Sequence, residues 1–277
     1  MTSGAFITTH FHRAAGPVLL SVPHAGREYD AALVAALRVP LASIRPLEDR
    51  HADRLVEAAA GIPTIIARAP RLMIDLNRAP DDLDPDMIRG SYGQMASAKA
   101  RAGLGLIPTR LWGVGPLWRT PFDPADVAAR LRDVHTPYHE AIARALEAAR
   151  LRWGSALLID LHSMPPIKGD DEPDIVIGDR FGSSASSQLT ATAESFLKGM
   201  GFRVGLNAPY AGGYIVSRHA KPQNNIHALQ IEIDRRLYLD AALDEPGPEL
   251  ARMQRVVGRL VEALTNELMA GLAQAAE

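Results

Sequence analysis

Short apolar runs that end abruptly in polar residues recur along the chain, at Val18 to Val22, Thr64 to Ala67, Leu72 to Ile74, Ala156 to Ile159, Ile175 to Ile177 and Leu229 to Ile233. Runs of this length predict strands buried on both faces. Between them lie helical periods. The clearest carries Val127, Leu131, Val134, Tyr138, Ile142 and Leu146, with Asp123 as its cap and Pro124 in its first turn. Pro137 should kink or divide that helix, because its ring removes a donor and crowds the preceding turn. A weaker helical stretch runs from about Ser187 to Met200 and contains Glu194. A last amphipathic helix places Leu250, Met253, Val257, Leu260, Leu264 and Leu268 on one face. Strands alternating with helices predict an α/β fold with a largely parallel sheet covered on both sides.

The pattern breaks from Ala79 to Pro124, a stretch with Asp81, Asp82, Gly90, Gly93, Gly103, Gly105, Gly113, Gly115 and several prolines. A long irregular segment inside a compact domain usually serves a site. It is read as an insertion over the active face of a single domain spanning residues 1–277, not as a linker.

Composition narrows the chemistry. With 277 residues, 47% of them hydrophobic and 22% charged, the chain can bury a sizeable core. Thirty Lys and Arg against 32 Asp and Glu leave a net charge of -2, too balanced for a broad nucleic-acid or anionic-membrane footprint. A small-molecule or peptide partner is therefore expected. No run approaches the roughly 20 apolar residues of a membrane span, and no secretory signal is evident, so a cytoplasmic protein is expected. The absence of cysteine removes thiolate sites and cysteine nucleophiles, so any metal must be held by His, Asp or Glu.

Open parallel sheets place ligand sites beyond the carboxyl ends of their strands. Four polar clusters fall there: Pro23-His24-Ala25-Gly26, Asp75-Leu76-Asn77-Arg78, Asp160-Leu161-His162-Ser163, and Gln230-Ile231-Glu232 within the last apolar run. His24 alone could simply end a strand. His162 has the stronger case, since a core strand leads directly into its imidazole and Asp160, on the same face, could orient a histidine ligand. A third ligand should be a carboxylate or another histidine, and Glu48-Asp49-Arg50-His51-Ala52-Asp53 offers both types. Two imidazoles and one carboxylate suit a catalytic zinc, which keeps one position open for water. Such a site needs a separate proton acceptor, and Glu232, flanked by Leu229, Ile231 and Ile233, fits it; the bland alternative pairs Glu232 with Arg235 or Arg236. Arg78 and Arg218, with Asn77, offer grips for a substrate carboxylate, although a surface arginine is more often simply solvated. Gly212-Gly213 lacks any nucleotide-binding order.

Together these segments resemble the N-formylglutamate amidohydrolase family, also called N-formylglutamate deformylases, distantly similar to zinc carboxypeptidases and aspartoacylases. The carriers are Ser21-Val22-Pro23-His24-Ala25-Gly26, Asp49 with Asp53-Arg54-Leu55, Ile74-Asp75-Leu76-Asn77-Arg78, Pro137-Tyr138-His139, Asp160-Leu161-His162-Ser163, Gly212-Gly213-Tyr214-Ile215 and His227-Ala228-Leu229-Gln230-Ile231-Glu232-Ile233. The resemblance implies a three-layer αβα sandwich with a mostly parallel mixed sheet, of the zinc-exopeptidase kind, and a place in amino-acid metabolism, in histidine degradation. It implies Zn2+, or another divalent transition metal, on His24, Asp49 and His162. It also implies Glu232 as base, Arg78 at the reacting group, and Asn77, Arg78, Arg218 and Gly213 around an N-acyl amino acid, N-formyl-L-glutamate first. Where family members often carry Asp-Thr-Asp-Trp, this chain has Leu47-Glu48-Asp49-Arg50, which keeps Glu48 and His51 as alternative ligands.

Other histidines take lesser roles: His139 as a packing residue bonded to a backbone carbonyl, His219 and His227 near substrate without touching metal, and His10 and His12 in a frayed arm. Rival readings are a carboxypeptidase-like hydrolase of peptides or cell-wall fragments, a non-catalytic binder of acidic amino acids, and a serine hydrolase using Ser163. The last lacks a G-x-S-x-G elbow.

Overall fold

The computed structural model describes residues 4–11, 16–90, 96–169 and 171–275; His12 and Gly93, singled out above, lie outside them. Seven strands form the main sheet: β1 (Phe6–Thr9), β2 (Val18–Val22), β3 (Thr64–Ala67), β6 (Ala156–Met164), β7 (Ile175–Gly178), β8 (Val204–Leu206) and β9 (Ile226–Asp234). Strands β4 (Arg110–Leu111) and β5 (Gly115–Pro116) make a separate small hairpin. The main order is β1-β3-β2-β6-β9-β7-β8. Pairing is parallel except where β1 meets β3 and β7 meets β9. The sheet is thus mixed and mostly parallel, as the alternation of strand and helix patterns predicts.

Helices cover both faces. They are α1 (Ala31–Ala36), α2 (Ala52–Leu55), α3 (Ala98–Arg101), α4 (Pro124–Arg130), α5 (Thr136–Trp153), α6 (Ser187–Gly199), α7 (Tyr214–His219) and α8 (Leu250–Ala275). On one face Leu157, Ile159 and Leu161 of β6 and Leu229, Ile231 and Ile233 of β9 pack under α6 and α8. On the other, Ala156, Leu158, Ile226 and Ala228 pack under α5 and α7. Side chains alternate along a strand, so Asp160 and His162 continue the face of Leu158, and Gln230 and Glu232 continue that of Ala228. The first half of this face is core, and its carboxyl-terminal half is polar. Nonpolar runs therefore end early while the pairing continues, with β6 and β9 matched from Ala156–Ile226 to Met164–Asp234.

The divided helix also follows the sequence. Residues Leu131–His135 form a π-helical turn between α4 and α5. Pro137 has no N–H for the regular ladder, and the widened turn ahead of it accommodates the loss.

Two expectations need correction. Leu72–Ile74 is not a strand: the Pro70 carbonyl accepts from both Met73 N–H at 2.8 Å and Ile74 N–H at 3.4 Å, closing a turn. Leu72 and Ile74 are buried in the core, so that run records burial, not extension. The N-terminal arm is not wholly frayed either, since Phe6–Thr9 pairs antiparallel with β3, while His10 lies exposed beyond it in a left-handed conformation. Among the described residues no helix is long and apolar enough to cross a membrane.

Leu158 is fully buried in the central strand, whereas Leu151 on α5 is 71% exposed. Leu158→Ala is expected to cost about 2–5 kcal/mol through lost transfer energy and a residual cavity, and Leu151→Ala no more than about 0.5 kcal/mol. Urea denaturation midpoints check this, and equal losses would contradict the placement of the core.

Candidate metal centre and active-site pocket

The polar half of the sheet face opens into a cavity of about 330 Å3 at the carboxyl ends of β2, β6 and β9. His24 follows β2 by two residues, Asp49 precedes α2, and His162 lies on β6. One ligating atom from each of the three lies within 4.8 Å of the others, and all three residues are buried. His162 Nδ1 is 3.1 Å, and His24 Nδ1 3.6 Å, from the same oxygen, Asp49 Oδ2.

The other nitrogen of each ring explains the convergence. His24 Nε2 meets Asp75 Oδ1 at 2.7 Å, and His162 Nε2 meets Asp160 Oδ2 at 2.8 Å. A carboxylate oxygen only accepts, so each Nε2 carries the proton. In the neutral His24 ring Nδ1 is then a lone-pair donor, buried without a hydrogen-bond partner and facing a carboxylate. Two acceptors turned on each other in a buried site repel unless a cation lies between them. The donor set and its carboxylate-backed imidazoles fit a divalent metal such as zinc.

The supporting carboxylates are themselves held. Ser21 Oγ donates to Asp160 Oδ1 at 2.8 Å. Asp75 accepts from Arg71 Nε at 2.8 Å and from the Asn77 N–H at 2.8 Å. Burial alone would raise the Asp75 pKa, but the charge of Arg71 and the hydrogen bond from His24 hold it well below the usual carboxylate range. Asp49 is likewise brought down by its hydrogen bond to His162 and by the nearness of the His24 ring, against the cost of burial. Burial would lower the His162 pKa, yet the charge and hydrogen bond of Asp160, with help from Asp49, hold it well above the ordinary value.

Glu232 stands beside His162 in the register of β6 and β9, about 4.8 Å away across a strand spacing. Its Oε1 accepts from Gln230 Nε2 at 2.9 Å. Burial, opposed by the His162 charge and reinforced by Asp49, pushes its carboxyl up to about 7. It is not part of the ion pair weighed above: Arg235 instead reaches Asp49 at 3.3 Å and Ser163, and Arg236 reaches Asp234 at 2.6 Å.

Arg78, Asn77 and Gly213 also line the cavity. Asn77 acts as a clamp, its Oδ1 accepting from Ile215 N–H at 2.8 Å and its Nδ2 donating to Gln230 Oε1 at 3.3 Å. Gly213 is held to the same Gln230 oxygen at 2.9 Å, and a Cβ on it would overlap the Asn77 amide, which is why glycine stands there. Arg218 is not brought to this group. It lies exposed on α7, donating to Tyr214 Oη at 2.9 Å, and is not among the cavity's lining residues.

The alternative ligands point elsewhere. Glu48 accepts from Tyr29 at 2.7 Å and Arg50 at 2.8 Å, and His51 faces Glu245 at 3.4 Å. His139 packs as expected, with Nε2 on the Leu76 carbonyl at 3.0 Å and Nδ1 on His219 at 2.9 Å. His219 therefore lies behind the pocket, and His227 lies at the far, amino-terminal end of β9. Ser163 lines the cavity, but its hydroxyl accepts from Arg235, and no imidazole is bonded to it among the described residues.

Reading the sequence missed Arg71, Arg235 and Lys99 on the cavity wall and the pairing of Asp75 with His24. Only Asp75, two residues before Asn77, carried a signal, as a carboxylate in an otherwise apolar stretch.

Comparison with known proteins agrees with this architecture. The profile described as FGase: N-formylglutamate amidohydrolase matches residues 16–239. The N-formylglutamate deformylase of Pseudomonas aeruginosa (strain PAO1) is 33% identical over 269 residues, covering 92% of this chain and 94% of its own. That of Pseudomonas putida is 30% identical over 239 residues, covering 83% and 84%. The crystal structure of N-formylglutamate amidohydrolase from Ralstonia eutropha JMP134 superposes with a TM-score of 0.89 at 30% identity, over 97% of this chain and all of that one.

If both imidazoles are set by their carboxylates, Asp75→Asn and Asp160→Asn should each weaken zinc binding by roughly 10- to 100-fold. Competition with a chromophoric chelator measures this, and unchanged affinity in both variants would remove these carboxylates from the metal site.

Proposed function

The chain belongs to the N-formylglutamate amidohydrolase family, and from that footing we propose that it cleaves the amide of an N-acyl amino acid, N-formyl-L-glutamate first, with a divalent metal. The observation that carries this reading is the juxtaposition of a buried His24–Asp49–His162 donor set with a carboxyl, Glu232, poised at about 7. A zinc ion held by His24 Nδ1, Asp49 and His162 Nδ1 would supply Lewis acidity toward a water molecule and the amide carbonyl.

The chain's own groups account for the rest. Glu232 accepts the proton lost by the attacking water and returns it to the amide nitrogen as the C–N bond breaks. Water thus adds to the acyl carbon, and the products are the free amino acid and formate. A base must be ionised to begin and must hold the proton long enough to pass it on, which a pKa near working pH allows. Arg235 keeps Asp49 in place through its 3.3 Å contact. Arg78, whose Nε donates to the Leu104 carbonyl at 2.7 Å and lies 3.9 Å from Asp75 Oδ2, keeps its terminal donors for a substrate carboxylate or the developing oxyanion.

Glu232→Gln is expected to lower the rate of formate release by roughly two to four orders of magnitude with the metal content unchanged. Near-normal turnover would take Glu232 out of the reaction. Cleavage of dipeptides with no formate from N-formyl-L-glutamate would instead favour the carboxypeptidase-like alternative.

The pH dependence has a definite sign. Below its pKa Glu232 is protonated and cannot accept, so kcat/KM should rise with pH. Its midpoint should lie at or below about 7, because a bound cation draws the carboxyl down from the value set by burial. A pH profile of formate release that falls through this range would contradict the assignment.

A further inference from the structure

Four cationic side chains line the cavity: Arg71, Arg78, Lys99 and Arg235. Two of them are committed to carboxylates of the protein. Arg71 holds Asp75 at 2.8 Å, and Arg235 reaches Asp49 at 3.3 Å. The other two keep terminal donors that have no hydrogen-bond partner among the described residues. Arg78 is 3.9 Å from Asp75 Oδ2, an oxygen already bonded to Arg71, and spends its Nε on a backbone carbonyl. Lys99 has no ion pair or side-chain hydrogen bond among the described residues.

One residue, Leu104, ties both in place. Leu104 N–H donates to the Lys99 carbonyl at 2.8 Å, while the Leu104 carbonyl accepts Arg78 Nε at 2.7 Å. Neighbouring Gly105 lets this turn pass close to the Asp82 carbonyl, which a Cβ there would overlap. Helix α3 is in turn capped by Ser97, whose Oγ accepts from Ala100 N–H at 3.0 Å. The two cations differ in depth. The Arg78 side chain is only 13% exposed and follows Asn77, whose amide lies 3.3 Å from His162. Lys99 is an exposed residue at the cavity mouth.

We propose that Lys99 is a specificity-determining residue that binds the substrate's distal, side-chain carboxylate, while Arg78 takes the α-carboxylate nearer the reacting amide. This deepens, and rests on, the amidohydrolase reading above. N-Formylglutamate carries one carboxylate on the carbon bonded to the amide nitrogen and another two methylenes farther out. The cavity offers two uncommitted cations at two depths. A planar guanidinium suits the fixed α-carboxylate with paired hydrogen bonds, and a flexible ammonium suits a carboxylate at the end of a mobile arm. Partial burial and the charges of Arg78 and Arg71 lower the Lys99 pKa against the pull of Asp75 and Asp82, so an arriving anion would offset part of that repulsion.

The test compares kcat/KM for N-formyl-L-glutamate and N-formyl-L-glutamine, which differ only in that distal group, in the metal-loaded full chain. Lys99→Met should lower the glutamate-to-glutamine ratio by roughly 10- to 100-fold, chiefly through KM for the acid, as expected for a lost charged hydrogen bond. Lys99→Arg should restore most of it. A ratio unchanged in Lys99→Met, or equal loss on both substrates, overturns the proposal. If the unmodified protein releases formate from neither compound, the amidohydrolase reading falls on its own, and calorimetric binding of L-glutamate and L-glutamine then decides the subsite. Tighter binding of glutamate that is lost in Lys99→Met upholds it, and equal binding by both proteins overturns it.

Discussion

Two imidazoles with their Nε2 protons tied to buried carboxylates set the terms for the whole site. Asp75 and Asp160 fix ring orientation and tautomer together, which leaves both Nδ1 atoms aimed at one oxygen of Asp49. Such a cluster is costly to bury. The fold meets that cost with hydrogen bonds from Ser21, Arg71 and a backbone N–H, and with an arginine on the opposite side of Asp49. The sheet supplies the geometry, because residues two apart on a strand share a face. The pairs Asp160–His162 and Gln230–Glu232 therefore stand side by side on adjacent parallel strands.

Much of this was legible in the chain itself, for particular reasons. His24, His162 and Glu232 announce themselves as polar residues set against apolar runs that end at the same edge of a parallel sheet, where function is the usual explanation. Asp49 was one of three neighbouring choices, and only the local backbone separates it from Glu48 and His51. Glu48 is consumed by Tyr29 and Arg50, and His51 turns toward Glu245.

What escaped the reading is contact between segments that share no local pattern. Leu72–Ile74 looks like a strand because burial alone makes a run apolar, whatever the backbone does. The pairing of Asp75 with His24 joins residues 51 positions apart, and no periodicity encodes it. Lys99 lies in the irregular stretch, where the hydrophobic pattern carries no information about which side chains face the cavity. Arg218 shows the converse: a plausible motif beside glycines whose side chain the helix directs outward, over the Tyr214 ring. Local sequence thus pointed to the residues that converge at the strand ends better than to the walls of the cavity, because strand ends constrain position and loops do not.

The account stands or falls on one ion shared by three residues. X-ray diffraction from crystals of the zinc-loaded protein, with anomalous data on either side of the zinc edge, tests it most directly. A single strong peak within about 2.0–2.2 Å of His24 Nδ1, His162 Nδ1 and an Asp49 oxygen is the predicted result. A zinc ion held elsewhere, with the two Nδ1 atoms left facing Asp49 and no metal between them, would contradict it.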